Sequence, residues 1–254
     1  MTTTEPAIRV SGLHKSYGDV EVLQGLDLAV RAGTVYALLG PNGSGKTTTV
    51  RILSTLIEGD TGDVEVLGHN VRRAPHEVRR GIGVTGQFSA VDDLLTGREN
   101  LRLIADLNHL ARAEAKQKVE DLLARFDLVD AADRRVGTYS GGMKRRLDLA
   151  MTLIGSPSLL FLDEPTTGLD PRSRLQLWAI VRELLDTGVT VFLTTQYLDE
   201  ADRLADLVGL LDRGRLVAEG TPAELKERTG AETMDDVFMA LTGHAATENE
   251  GVVA

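Results

Sequence analysis

Cysteine is absent from the 254 residues, so neither a disulfide framework nor a cysteine-ligated zinc site underlies the fold. Aromatic residues make up only 4% of the chain against 42% apolar residues in all, so a core of this size is mainly aliphatic. Positive charge is scarce: 28 lysines and arginines face 38 aspartates and glutamates, for a net charge of −10. A general nucleic-acid binder carries a basic face, and this balance argues against one, so no nucleic-acid partner is expected. No uninterrupted apolar run reaches the roughly 18 residues that a transmembrane helix needs. Residues 1–6 lack the basic start and apolar stretch of a secretion signal and are expected to be flexible. If the chain serves a membrane process, the membrane part is another chain.

What is present is an alternation of strand and helix patterns. Segments 7–10, 20–30, 34–39, 63–67 and 81–85 read as strands, and 46–56 as a helix. From about 91 to 154 the helical period takes over. Thr96 with Glu99 makes a capping box, and Val119, Leu122, Leu123 and Phe126 share one helix face. Strand patterns return at 158–162, 189–194, 207–211 and 215–219. This order predicts an α/β fold with a mostly parallel sheet and a helical insert. The small, polar tail 244–254 is expected to be disordered.

Gly40-Pro41-Asn42-Gly43-Ser44-Gly45-Lys46-Thr47 has the spacing of a phosphate-binding loop. Its glycines let backbone N–H groups approach phosphate oxygens, and a helix N-terminus follows, continuing through Thr48. In such a loop Lys46 reaches the β- and γ-phosphates, and Thr47 ligates Mg²⁺. Downstream, an apolar strand ends in Asp163-Glu164. Ligands bind at the carboxyl ends of parallel strands. Asp163 is therefore the candidate holder of Mg²⁺, and Glu164 the candidate general base for an attacking water.

Tyr139-Ser140-Gly141-Gly142-Met143 resembles the signature motif of the ATP-binding-cassette (ABC) ATPases, and the resemblance extends over roughly 7–230. It implies a P-loop NTPase core with an antiparallel β subdomain and an inserted helical subdomain, followed by a helical extension over 231–243. It implies ATP and Mg²⁺ as cofactors. It also implies a head-to-tail dimer with a second copy, in which Ser140, Gly141 and Gly142 reach the nucleotide held by the other subunit. By the same resemblance Tyr17 stacks on adenine, and Gln87 contacts Mg²⁺ and water. Asp170, in Gly168-Leu169-Asp170-Pro171, contacts the other subunit; it also suits a helix N-cap before Pro171. Lys144, Arg145 and Arg146 would add positive field or form a solvated helix face.

One position departs from the family pattern. Gln196 stands where a histidine usually contacts the γ-phosphate. Its amide can donate a hydrogen bond but cannot become an imidazolium. Thr194-Thr195-Gln196-Tyr197-Leu198-Asp199-Glu200 and Thr233–Gly243 are similar to the ATP-binding subunits of daunorubicin/doxorubicin-type drug exporters. That similarity implies a separate transmembrane permease, contacted near 88–95. It also implies peripheral attachment at the cytoplasmic side of the membrane, and a drug, antibiotic or lipid-like cargo. Two rivals are a soluble cassette protein acting on DNA or ribosomes and a non-hydrolysing ATP-binding regulator. The single cassette and acidic balance weigh against the first, and Lys46, Asp163 and Glu164 together against the second.

Overall fold

The computed structural model describes residues 5–86 and 90–243. Gln87, Phe88 and the tail 244–254 lie outside the described residues. In chain order the strands are β1 (Ile8–Tyr17), β2 (Val20–Val30), β3 (Val35–Leu39), β4 (Thr61–Val66), β5 (His69–Asn70), β6 (Ile82–Thr85), β7 (Leu159–Asp163), β8 (Thr190–Thr195), β9 (Leu207–Asp212) and β10 (Arg215–Gly220). The helices are α1 (Lys46–Leu53), α2 (Pro75–Gly81), α3 (Gly97–Leu107), α4 (Arg112–Arg125), α5 (Gly141–Thr152), α6 (Pro171–Asp186), α7 (Leu198–Leu204), α8 (Pro222–Thr229) and α9 (Met234–Thr242).

A six-stranded sheet runs β10-β9-β3-β8-β7-β6, parallel except for the β10–β9 pair. Every residue of β3, β7 and β8 is buried, because a central parallel strand is covered on both faces. Alternate residues feed two cores. Tyr36, Leu38, Phe161 and Phe192 face the second, antiparallel sheet β2-β1-β4-β5 together with α1 and α2. Val35, Ala37, Leu39, Leu160, Leu162 and Leu193 face the remaining helices. β1 extends well past the 7–10 segment legible from its pattern, because register shifts at Leu13 and His14 break the alternation while the pairing continues.

Helices α3, α4 and α5 fill the interval between β6 and β7. The Thr96–Glu99 capping box is present with both reciprocal bonds, and Val119, Leu122, Leu123 and Phe126 are all buried. Their core is continuous with that under the sheet. α9 joins it too, through Met234, Val237 and Phe238. Among the described residues no helix is long and apolar enough to cross a membrane.

Candidate nucleotide site

The site forms where β3, β8 and β7 end side by side. The parallel register sets Leu39 opposite Thr195 and Asp163 opposite Thr194. Two backbone bonds carry the ladder onward. The Gly40 N–H donates to the Thr195 carbonyl at 3.4 Å, and the Glu164 N–H to the Thr194 carbonyl at 3.0 Å. Three segments far apart in the chain therefore leave the sheet at one edge: the loop 40–45, Glu164 and Gln196.

The loop is closely packed. A Cβ at Gly40 would lie 2.2 Å from the Leu211 carbonyl oxygen, so only glycine fits. Gly45 caps α1 with φ 111°, in the left-handed region. No side chain caps this helix and its first turn holds no acid, so its first N–H groups remain available to an anion. The Ser44 hydroxyl is buried without a hydrogen-bond partner. An uncapped helix start, a cradle that a Cβ would fill and an orphaned hydroxyl fit a nucleotide phosphate chain.

Lys46 Nζ donates to the carbonyls of Gly40 (2.8 Å) and Pro41 (3.1 Å) and sits 3.3 Å from Glu164 Oε1. Burial pulls the Lys46 ammonium below its ordinary pKa, opposed by the charges of Glu164 and Asp163. Thr47 Oγ1 donates to Asp163 Oδ1 at 3.3 Å. Thr194 Oγ1 donates to the same oxygen, and Asp163 is only 4% exposed, so this is no solvated acidic pair. A hydroxyl and a carboxylate oxygen so close together suit a hard cation that takes its other ligands from phosphate and water.

Glu164 has φ 47°. Left-handed backbone costs a residue bearing Cβ on the order of 1–2 kcal/mol and persists only where the surroundings enforce it. The Thr194 carbonyl and hydroxyl, both bonded to the Glu164 N–H, are part of that enforcement.

Gln196 follows β8 and is half-buried; next to it the Arg174 guanidinium lies over the Tyr197 ring at 5.0 Å. Tyr17, at the end of β1, is 48% exposed, with the Lys15 ammonium 5.5 Å from its ring centroid. Its register partner is Val20. Two residues further along β2, the Val22 carbonyl oxygen lies 3.0 Å from where a Gly45 Cβ would stand, so this hairpin borders the phosphate loop.

Ser140, Gly141 and Gly142 belong to a different neighbourhood. α5 begins at Gly141, where Ser140 caps it by accepting from the Met143 N–H at 3.2 Å. Ser140 and Gly141 are exposed, while a Cβ at Gly142 would meet Ser173 Oγ at 2.3 Å. Ser173 donates to Asp170, which accepts from the N–H groups of Arg172 and Ser173 and caps α6. These bonds hold the Asp170 carboxyl below the usual carboxylate range.

The solvated-face reading of Lys144–Arg146 fits only Lys144, whose side chain is 31% exposed, while those of Arg145 and Arg146 are each 14% exposed. Lys144 pairs with Asp93 at 2.7 Å and Arg146 with Asp127 at 3.0 Å, while Arg145 turns inward toward the end of β7. Sequence patterns also missed Glu200, fully buried where it accepts from Trp178 Nε1 (3.0 Å) and Thr166 Oγ1 (3.2 Å). An acid in the run Asp199-Glu200 gives no sign in the sequence of being inside.

A phosphate-binding loop at the edge of a parallel sheet, an acidic pair beside it and a helical insert bearing a glycine-rich helix start define a nucleotide-dependent mechanical ATPase. The family model described as ABC transporter matches residues 23–167, and the chain belongs to that family. Daunorubicin resistance ATP-binding protein DrrA3 of Streptomyces coeruleorubidus is 54% identical over 234 residues, covering 92% of this chain and 74% of the relative. Nod factor export ATP-binding protein I of Rhizobium sp. (strain N33) is 43% identical over 230 residues, covering 90% and 76%. Among solved structures, one described as the ATP binding subunit of an ABC transporter superposes with TM-score 0.83 at 29% identity, covering 93% of this chain and 99% of that one. The chain is thus an ATP-binding subunit whose ATPase activity is coupled to transport. Such subunits dimerise and work with transmembrane permeases.

Proposed function

We propose that the chain powers an exporter by hydrolysing Mg²⁺-ATP at the edge formed by β3, β7 and β8. The observation that carries the reading is the meeting of the loop and the strand end: Lys46 Nζ lies 3.3 Å from Glu164 Oε1, and Thr47 Oγ1 lies 3.3 Å from Asp163 Oδ1. Lys46, Ser44 and the N–H groups of 42–48 bind the phosphates. Thr47 and Asp163, with Gln87, would hold Mg²⁺, which would supply charge neutralisation at the phosphates. Glu164 takes the proton of the attacking water. Gln196 donates to the γ-phosphate, and Tyr17 stacks on adenine.

Two copies act head-to-tail. The exposed Ser140 hydroxyl keeps its proton to donate, since capping uses it only as an acceptor. With the N–H groups of Gly141 and Gly142 it binds the nucleotide of the other copy, and the loop of Asp170 lies at the same seam. The separate permease seats in a cleft of about 590 Å³ between α2, β6, α3 and α5, bordered by Arg79, Ala90, Ile104 and Asn108. In the same proposal the chain sits peripherally at the cytoplasmic side of the membrane. The daunorubicin resistance and Nod factor export of the relatives favour a drug, antibiotic or lipid-like cargo.

Steady-state phosphate release and ATP-dependent dimerisation test the reading. Glu164→Gln is expected to lose at least about a hundredfold in rate and to dimerise with Mg²⁺-ATP. A wild-type rate in Glu164→Gln, or no ATP-dependent dimer, overturns it.

A further inference from the structure

Arg145 spends all three guanidinium nitrogens inside the protein. Nε donates to the Pro165 carbonyl at 2.9 Å and Nη2 to the Asp163 carbonyl at 3.4 Å. Nη1 donates to the Gly86 carbonyl at 3.1 Å and to Asp148 Oδ2 at 3.2 Å. The carbonyls of Asp163 and Pro165 flank Glu164, whose backbone is left-handed at φ 47°. The other oxygen of Asp148 accepts from the Ala90 N–H at 3.1 Å. Arg145 and Asp148 lie one turn apart on α5, the helix that Ser140 caps, and both are largely buried. Burial pulls the Arg145 guanidinium down from its ordinary pKa, and Asp148 leads the charges that oppose this.

We propose that Arg145 is a positioning residue that holds Glu164 in its left-handed backbone from both sides. With Asp148 it fastens that geometry to α5 and to Gly86 and Ala90. The fork is what makes the residue type necessary: five N–H donors in one plane reach four acceptors, whereas the single ammonium of lysine cannot span them. A change in how α5 sits against β7 is then a change in where the Glu164 carboxylate points. The Ser140 segment at the start of α5 and the residues bordering the proposed permease cleft so act on hydrolysis through one side chain. This rests on Glu164 being the general base.

Arg145→Lys, Arg145→Ala and Asp148→Asn are compared in the full chain with wild type and Glu164→Gln. Phosphate release is measured against ATP concentration, and thermal midpoints report folding. Arg145→Lys is expected to lose about tenfold in kcat and Arg145→Ala about a hundredfold, with KM within about twofold. Asp148→Asn is expected to show a smaller loss in kcat alone. If Arg145→Ala does not fold, the lysine and asparagine variants carry the test. A wild-type kcat in Arg145→Lys, or a KM that rises in step with the fall in kcat, overturns the proposal while an inactive Glu164→Gln leaves the base in place. A wild-type rate in Glu164→Gln overturns the base and this proposal together.

Discussion

Lys46 and Glu164 form an ion pair at 3.3 Å, with side chains only 3% and 9% exposed, across the gap between α1 and the end of β7. Removing one member of such a pair strands the other, which is worse than removing both. Lys46→Ala is therefore expected to lower the thermal midpoint and to weaken ATP binding by at least about tenfold. Calorimetric unfolding and a nucleotide titration check this. Unchanged ATP affinity would remove Lys46 from the site.

Gln196 can donate to a phosphate oxygen but does not titrate. Gln196→Ala is expected to slow phosphate release by about tenfold or more. Gln196→His is expected to keep the activity and to bring in a new pH dependence near about 6.5, the ordinary histidine value. Rate profiles of wild type and both variants across pH 5.5–8.5 (about the histidine range) decide it. A wild-type rate in Gln196→Ala would leave Gln196 without a role.

Tyr17 is half-exposed, so its substitution tests binding with little disturbance to folding. Base–aromatic stacking is worth about 1–3 kcal/mol. Tyr17→Ala is expected to weaken ATP binding by about fivefold to a hundredfold, and Tyr17→Phe to leave it unchanged. Equal affinity in all three proteins would show that adenine sits elsewhere.

Glu200 has its carboxyl pKa raised, chiefly by burial, against hydrogen bonds from Thr195, Trp178 and Thr166 that lower it. The folded chain therefore holds this proton more tightly than the unfolded chain. Its contribution to stability is full below the unfolded carboxylate value and is lost as pH rises through the folded one. Glu200→Gln keeps a neutral acceptor for Trp178 and lacks this titration. Its stability relative to wild type is expected to improve from acid toward neutral pH. Denaturant unfolding at pH 4 to 7 (about the carboxylate window and above) measures it; a constant difference across that range would exclude the linkage.

The phosphate loop, the acidic pair and the capped helices were legible because each is a local pattern. A glycine where no Cβ fits, a Thr–Glu capping box and a four-residue apolar stripe all act within a turn or two of chain. The alternation of strands and helices likewise follows from side-chain periodicity. Arg145 shows the limit of such reading. Three of its four partners are main-chain carbonyls, which every residue carries, so nothing in Lys144-Arg145-Arg146 shows that Arg145 turns to the end of β7 while Lys144 and Arg146 pair with Asp93 and Asp127.

Local chemistry thus decided that this chain carries a glycine-rich loop before a helix, an acidic pair at a strand end and the segment Ser140-Gly141-Gly142. Only the tertiary structure decided which of them meet. The parallel register of β3, β8 and β7 brings Gly40, Gln196 and Glu164 to one edge, and the start of α5 packs Gly142 against Ser173 at the start of α6 instead. Register is set by burying alternate side chains in two cores at once. That constraint involves residues more than a hundred positions apart, and no local pattern contains it.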